Sequence, residues 1–444
     1  MTAPALTWHS HGAPGEQMPR LLADVEPTGG AIALDEHLEQ WGVLDLRRVG
    51  VDLVDELEAS GLVGHGGAWF PVATKWRSIG TRGARRPVVV ANGAEGEPAS
   101  SKDALLLTRT PHLVLDGASA AAAALGASRV VIYVPARLTH GMERAVEARR
   151  RRGLDPVEME VMSAPDAFIT GQESAVVSAL DGRPAVPSFV GLQPVRVRGV
   201  AGRPTLVQNV ETLAHVALIA RFGAQWFRAI GTEQFPGSML VTLSGRYAGP
   251  VVMEAPLGLP LRDLLGLSRA AGNDYRGALL GGYGGGWVSM PTLLEVDLTE
   301  ASARMWNTTL GAGVVALLPH SVCPLVEVAR VVRYMERQQA GQCGPCVHGL
   351  AALDEAVRCL ALQPASLRGR VEPILELCAL IDGRGGCRHP DGVVRFVRSA
   401  CSVFGDEVAT HLRHGPCRLI DAAPVLPIPH FRSAHAATDR TSSR

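Results

Sequence analysis

From residue 87 to residue 223, short apolar runs alternate with helical stretches, and no other feature constrains the fold of this chain as strongly. "PVVVAN" (87–92), "RVVIYVP" (129–135) and "PVEMEVMSA" (156–164) read as strands. Between them lie "PHLVLDGASAAAAALGA" (111–127), a helix opened by proline, and the amphipathic "GMERAVEARRRRG". Further helices follow "GQES" and cover "VQNVETLAHVALIARFG" (207–223). This order calls for a parallel sheet with helices on its faces. Ligands of such sheets bind beyond the carboxyl ends of the strands, where "ANGAEGEPASSKD" (91–103) emerges.

At 444 residues the chain exceeds what one core can serve, and its character changes along its length. An irregular leader is expected over 1–40 and an α/β domain over 41–235. A smaller β-rich domain, with a "GGYGGG" turn, is expected over 236–322. A helical domain follows over 323–413, and a mobile tail over 414–444. The composition, 47% hydrophobic and 19% charged, is that of a globular chain. Basic and acidic side chains balance at 43 each, which excludes a general electrostatic attraction to nucleic acid. The first residues lack an apolar signal core, and the Ala-rich run from Leu113 to Ala127 carries Asp116 and is short for a membrane span. A soluble, cytoplasmic protein is expected.

The chain is rich in arginine and has two lysines, Lys75 and Lys102. An ammonium is compact where a guanidinium is wide and planar, so pockets that admit only the former would explain their retention. Both fall in or beside glycine-containing loops. "GLVGHGGAWFPVATK" offers bare backbone that can approach a phosphate or a planar ligand. "NGAEGEP" places Glu95 and Glu97 two residues apart on a loop at the sheet end.

Eight unevenly spaced cysteines do not suggest a disulfide framework. Cys359, Cys378 and Cys401 sit in apolar helical runs and read as packing residues. Cys343 and Cys346, in "QAGQCGPC", and Cys387, in "GRGGCRHPDG", sit instead in glycine turns. A dithiol switch would want a βαβ setting, which is absent from this helical region. A zinc site could take these cysteines with His389 or His348. An iron–sulfur cluster could take the close pair plus the distant cysteine, although a cubane normally uses four.

Several ordered segments together resemble the NADH-binding flavoprotein subunit of bacterial NADH:quinone oxidoreductase (complex I), a family that includes the diaphorase subunits of NAD-linked hydrogenases and formate dehydrogenases. Gly64 to Trp76 is similar to that family's G-x-G-x-G-G-A-G-F-P-T-G-x-K-W loop. "NGAEGEPA" (92–99) is similar to its N-A-D-E-x-E-P-G segment, and "GQESA" (171–175) to G-E-E-T-A. "GRPTLVQNVET" (202–212) is similar to G-K-P-T-x-V-N-N-V-E-T, and "QQAGQCGPCV" to E-S-C-G-x-C-x-P-C-R.

The resemblance implies an α/β flavin-binding domain with a parallel sheet, a β-grasp domain, and a C-terminal helical bundle carrying an iron–sulfur site. It implies FMN against Gly64, Gly66, Gly67 and Lys75, met by Asn92 and Glu95, with Gly171, Gln172, Glu173, Val207, Gln208, Asn209 and Thr212 completing the pocket. Phe70, Glu97 and Glu173 match positions that hold NADH, and Glu97 and Glu173 are expected at the reacting centre. Cys343, Cys346 and Cys387 would hold the cluster. Hydride from NADH would pass to FMN, and single electrons to the cluster and then to an iron–sulfur or ferredoxin-like partner, in a complex peripheral to the inner face of the membrane.

The departures fall at the site. Trp69 replaces a glycine and is expected to crowd the flavin or nicotinamide face. Ala94 replaces an acid, Ser78 an aromatic residue, Gln172 a glutamate and Gln208 an asparagine. Ala340 replaces the first of three close cysteines, leaving three thiolates for a trinuclear cluster, or for a cubane with a fourth ligand such as His389, Gln339, water or a partner group. These departures favour, as an alternative, a non-catalytic or donor-switched relative.

Overall fold

Val88–Asn92 (β1), Arg129–Pro135 (β2), Met159–Ala164 (β3) and Thr205–Asn209 (β4) form one parallel sheet in the order β3-β2-β1-β4. The computed structural model describes residues 18–23, 25, 29–50, 52–79, 85–189, 194–245, 249–267 and 274–429. Val89, Ala91, Val130, Ile132 and Leu206 turn to one face and pack on the helices Pro111–Leu125 and Val210–Arg228. Val88, Val90, Val131, Tyr133 and Val207 turn to the other and meet the helix Glu173–Leu180. Burial on both faces is why these strands read as unbroken apolar runs. Where the two long helices cross, a Cβ on Gly117 would come within 1.9 Å of the Leu213 carbonyl oxygen.

Strand order reverses between β1 and β4, so the loops leaving them part at a switch point, the place where doubly wound sheets bind ligands. Asn92 and Asn209 end the two strands side by side in register.

The Ala-rich helix is buried along most of its length and encloses one charge. Asp116 is buried and bonded to His37 at 2.7 Å, Arg149 at 2.8 Å and Arg221 at 2.5 Å. Burial alone would raise its carboxyl, but these partners outweigh burial and hold it below the ordinary carboxylate range. A depressed carboxyl stabilises the fold above its unfolded value and loses that contribution only in strong acid. Asp116→Asn leaves two buried arginines facing a neutral amide and is expected to cost about 3–5 kcal/mol. Chemical denaturation at neutral pH would refute this with a loss below about 1 kcal/mol.

Ser238–Ser244 (β5), Val251–Pro256 (β6), Tyr275–Leu280 (β7), Gly286–Val288 (β8) and Val314–Pro319 (β9) form a second sheet, ordered β6-β5-β9-β7-β8. β5 and β9 run parallel at its centre, and the other pairs are antiparallel. The helices Pro324–Arg337, Ala351–Leu362, Glu372–Ile381, His389–Val403 and Gly405–His414 follow, around a core that includes Val331, Leu353, Ile374 and Val397.

Both chain ends depart from expectation within the described residues. The leader contains the helix Leu34–Trp41, and Glu254 of β6 accepts the backbone amides of Arg20, Leu21 and Leu22 at 2.8, 2.8 and 3.3 Å. The tail is packed as far as Ile428: Leu426 is buried, its amide donates to Glu327, and the Pro427 carbonyl accepts from the Tyr283 hydroxyl. Residues 1–17 and 430–444 lie outside the described residues. Among the described residues no helix is long and apolar enough to cross a membrane.

Candidate functional site

A cleft of about 1900 Å³ opens beyond the carboxyl end of the parallel sheet and runs on to the helical region. Its first wall is the glycine loop. Bonds from the Gly64 amide to the Phe70 carbonyl (2.9 Å) and from the Val72 amide to the Leu62 carbonyl (3.0 Å) close this loop just ahead of the helix Val72–Arg77. Gly64, Gly66, Gly67 and Phe70 line the cleft, with Gly67 at φ +95°, a conformation that costs glycine little. Lys75 projects from the helix into the cleft, where its ammonium donates to the Val207 carbonyl at 2.5 Å and pairs with Glu173.

The second wall is the loop after β1. The Asn92 amide donates to the Gly171 carbonyl at 2.8 Å, and its oxygen accepts from the Ala94 amide at 3.2 Å. A Cβ on Gly171 would stand 2.7 Å from the Ala94 carbonyl oxygen, so glycine lets these two loops touch. Glu95 lines the cleft with its oxygens already bonded to the Ser100 hydroxyl and the amides of Asp103 and Ala104. Glu97 accepts from the Ala99 and Tyr283 amides at 3.1 and 2.7 Å, yet burial pushes it up to about 7.

That shift has a testable sign. A carboxyl raised in the fold costs stability as it ionises, so the chain should weaken as pH rises from 4.5 toward 7. Glu97→Gln should remove this segment of the curve, and its unfolding midpoint should gain on that of the native chain across the window. Parallel pH curves for the two proteins would refute the assignment.

Behind both loops lies a buried polar node. The Lys102 ammonium sits 2.8 Å from Asp103 and 2.7 Å from Glu211, and Asp103 also accepts from Asn209 at 2.7 Å. Burial opposes the charge on Lys102, but Asp103, Glu211 and Glu95 outweigh it and hold the ammonium protonated. This is a site that a point charge fills and a guanidinium overfills. His65 lies 3.2 Å from Glu211 and packs on His215. Burial, followed by the nearby Lys102, lowers His65 to about 3, so it is neutral at pH 7. His65, Glu211 and His215 were not singled out from the sequence. A glutamate and a histidine four apart on a buried, largely apolar helix were the available signal.

Asn209 caps the helix Val210–Arg228 by accepting the Glu211 and Thr212 amides, and lines the cleft with Val207 and Gln208. Thr212 does not reach the cleft. It is fully buried, and its hydroxyl accepts the His65 amide at 2.9 Å, so it holds the glycine loop instead. Trp69 also departs from expectation. Its φ of +54° explains why glycine would be easier there, but the side chain leaves the cleft and packs into the core of the β5–β9 sheet and against His65.

The cysteine turn stands at the far end. Cys343 and Cys346 flank the start of a π-helical turn, Pro345–Leu350, a form that often marks functional sites. The Gly386 amide donates to the Cys343 sulfur at 3.4 Å. The Ala340 amide lies toward the Cys346 sulfur, and the His389 amide and Gln172 side chain toward that of Cys387, each easing the thiolate against burial. Cys346 is pushed up to about 12 by burial, with Cys343 and Cys387 adding to the effect. His389 bonds the Met335 carbonyl through Nε2 at 2.8 Å, and its Nδ1 is buried without a partner.

The sequence matches the profile of the Nuo51 FMN-binding domain over residues 57–218 and that of the NADH-ubiquinone oxidoreductase-F iron-sulfur binding region over 327–411. It is 30% identical over 413 residues to the second F-type subunit of the NADH-quinone oxidoreductase of Rhizobium meliloti, covering 89% of this chain and 96% of that relative. The chain belongs to the family of F-type subunits of NADH-quinone oxidoreductase. The F-type subunit of the Mycobacterium tuberculosis NADH-quinone oxidoreductase is 32% identical over 392 residues, covering 82% of this chain and 86% of its own. The NAD+-reducing [NiFe]-hydrogenase in its H2-reduced state superposes with a TM-score of 0.71 at 28% identity, over 82% of this chain. The chain spans 62% of that hydrogenase chain, which is under two thirds.

The residues present suit the cofactors of the F-type family. A lysine ammonium beside bare glycine backbone is a fitting cradle for a flavin phosphate. For the cluster, the matched iron-sulfur binding region spans Cys343, Cys346 and Cys387. A tetrahedral zinc ion with bonds of about 2.3 Å would draw its thiolates to about 3.8 Å of one another. Cys343, Cys346 and Cys387 are not among the described groups whose ligand atoms all fall within 4.8 Å. The three sulfurs are thus not all gathered as a zinc ion would hold them, and the amides beside them are of the kind that surrounds an iron–sulfur cluster.

Proposed function

We propose that this chain admits electrons from NADH, holding FMN in the cleft and an iron–sulfur cluster at the cysteine turn, and hands them to an iron–sulfur or ferredoxin-like partner in a complex peripheral to the membrane. One observation carries this reading. Gln172 lines the cleft, and its side chain also lies toward the Cys387 thiol and eases its ionisation, so one residue faces both the proposed flavin position and the proposed cluster position.

Gly64, Gly66, Gly67, Lys75, Asn92, Glu95, Gly171, Gln172, Val207, Gln208 and Asn209 would surround FMN, with Thr212 acting through the glycine loop. FMN supplies, when bound, the conversion of a two-electron donor into single-electron steps. Lys75 neutralises phosphate charge, and Glu173 positions Lys75. Glu97, fixed by the Tyr283 amide, faces the donor side of the cleft. A carboxyl near 7 can be neutral there and need not repel the donor's phosphates. Phe70 and Trp306, both exposed on the cleft wall, offer flat surfaces for a base, a role that Ser78 cannot fill.

The central parallel pair of the β5–β9 sheet, flanked by hairpin partners, supports reading that unit as a β-grasp domain. The division into a leader, an α/β domain (41–235), a β-grasp domain (236–322), a helical domain (323–413) and a tail is proposed on the same footing. The alternative of a non-catalytic relative drew on Trp69 and Ala94; it loses the first support because the indole leaves the cleft, while Ala94 does line it. Anaerobic reconstitution followed by NADH addition tests the proposal: flavin absorbance should bleach, and ferricyanide should be reduced catalytically. Failure to retain flavin, or retention without bleaching by NADH or NADPH, would overturn it.

A further inference from the structure

Cys323 and Cys417 take no part in the cysteine turn, yet they meet at the opposite end of the helical region. Cys323 is the N-cap of the helix Pro324–Arg337. His411 lies in the last turn of the helix Gly405–His414, and Cys417 lies three residues beyond that helix. One ligand atom from each falls within 4.8 Å of the other two. The Cys323 sulfur stands 3.7 Å from His411 Nε2. A tetrahedral zinc ion, with bonds of about 2.3 Å to sulfur and 2.0–2.1 Å to nitrogen, sets those two atoms about 3.6 Å apart.

The surroundings prepare the donors. His411 Nδ1 bonds the Leu360 carbonyl at 3.3 Å, which places the ring proton on Nδ1 and leaves the Nε2 lone pair for the sulfurs. Nε2 currently accepts the Cys417 amide at 3.2 Å. Burial holds the Cys323 sulfur as a thiol, and the amides of Leu325 and Val326, in the first turn of the helix Pro324–Arg337, are directed toward it where a metal-bound thiolate would need donors. Cys323 and His411 are almost fully buried, while Cys417 is partly exposed and gives an ion a way in.

We propose that Cys323, His411 and Cys417 form a zinc site, separate from the cleft and the cysteine turn, with a solvent-side fourth position. Binding replaces the two thiol protons: Zn2+ enters, two protons leave, and no electron is transferred. The ion ties the first helix of the helical region to the end of its last, closing the bundle that presents the cluster cysteines. Metal binding of this kind adds directly to folding free energy.

The test uses the full chain, loaded anaerobically with FMN, iron and sulfide, then titrated with Zn2+ and analysed for both metals. One zinc per chain is expected beside the iron. Cys417→Ser and His411→Ala should each lose that zinc and keep iron and flavin, and His411→Cys should keep all three. Cys346→Ser should lose iron and keep zinc. Chelation should lower the unfolding temperature of the native chain but not of Cys417→Ser. Absence of stoichiometric zinc, zinc lost with Cys346→Ser and kept with Cys417→Ser, or a Cys323–Cys417 disulfide in the mass spectrum of the untreated protein would each overturn the proposal.

Discussion

Ala340→Cys is expected to change the nuclearity of the cluster, raising iron from about three to about four per chain. The native chain supplies Cys343, Cys346 and Cys387, and Ala340 contributes a methyl group where a further thiolate would complete a C-x2-C-x2-C run. Ala340 is buried, and its amide lies toward the Cys346 sulfur, so a side chain at this position starts beside the cluster ligands. The added sulfur is one heavy atom in a packed region, an insertion that costs about 1–3 kcal/mol when uncompensated and less when the atom is ligated. Electron paramagnetic resonance supplies the readout. The native chain should show its signal in the oxidised state, as a trinuclear centre does, and the variant should show one in the reduced state. Cys346→Ala should abolish iron and both signals. Identical iron content and identical spectra for the native chain and Ala340→Cys would show that another group already holds the fourth corner.

The second large effect concerns Lys75. Its ammonium projects into the cleft from a short helix and is held by Glu173 and the Val207 carbonyl, both cleft residues. Removing it should leave the fold intact, since the partner Glu173 side chain is 52% exposed and rehydrates freely. A hydrogen bond to a charged group contributes about 1.5–3 kcal/mol, so Lys75→Ala should weaken FMN binding roughly 10- to 150-fold. Quenching of flavin fluorescence on titration of the flavin-free protein measures it. An unchanged dissociation constant would remove Lys75 from the flavin site.

Much of this was legible in the sequence because the signals were local. Apolar runs bracketed by helical stretches give a parallel sheet through backbone chemistry alone, and glycine turns carrying cysteines give exposed amides near thiols. The misreadings came from long-range packing. Nothing near Trp69 reveals that a second sheet will receive the indole, so a residue with unfavourable φ looked like an obstruction in the cleft. Thr212 lies in a motif with cleft residues, but helix rotation turns its hydroxyl back to His65. Leu426 and Pro427 sit in a proline-rich stretch that reads as mobile, and they are held by core packing of Leu426 and by Glu327 and Tyr283, some 99 and 144 residues away. The Cys323–His411–Cys417 group was hidden for the same reason, its first and last members being far apart along the chain though close in space.

Tyr283 joins two places that the chain keeps far apart. Its amide holds Glu97 on the donor side of the cleft, its ring packs on Tyr334 and Phe396, and its hydroxyl grips the carbonyl of Pro427. A cleft occupant that engages Glu97 therefore pulls on a residue whose other end anchors the C-terminal segment. The neighbouring Leu426 amide, bonded to Glu327, is consequently a natural reporter group. Its hydrogen-exchange rate should register cleft occupancy at a distance, without any label placed near the cofactors.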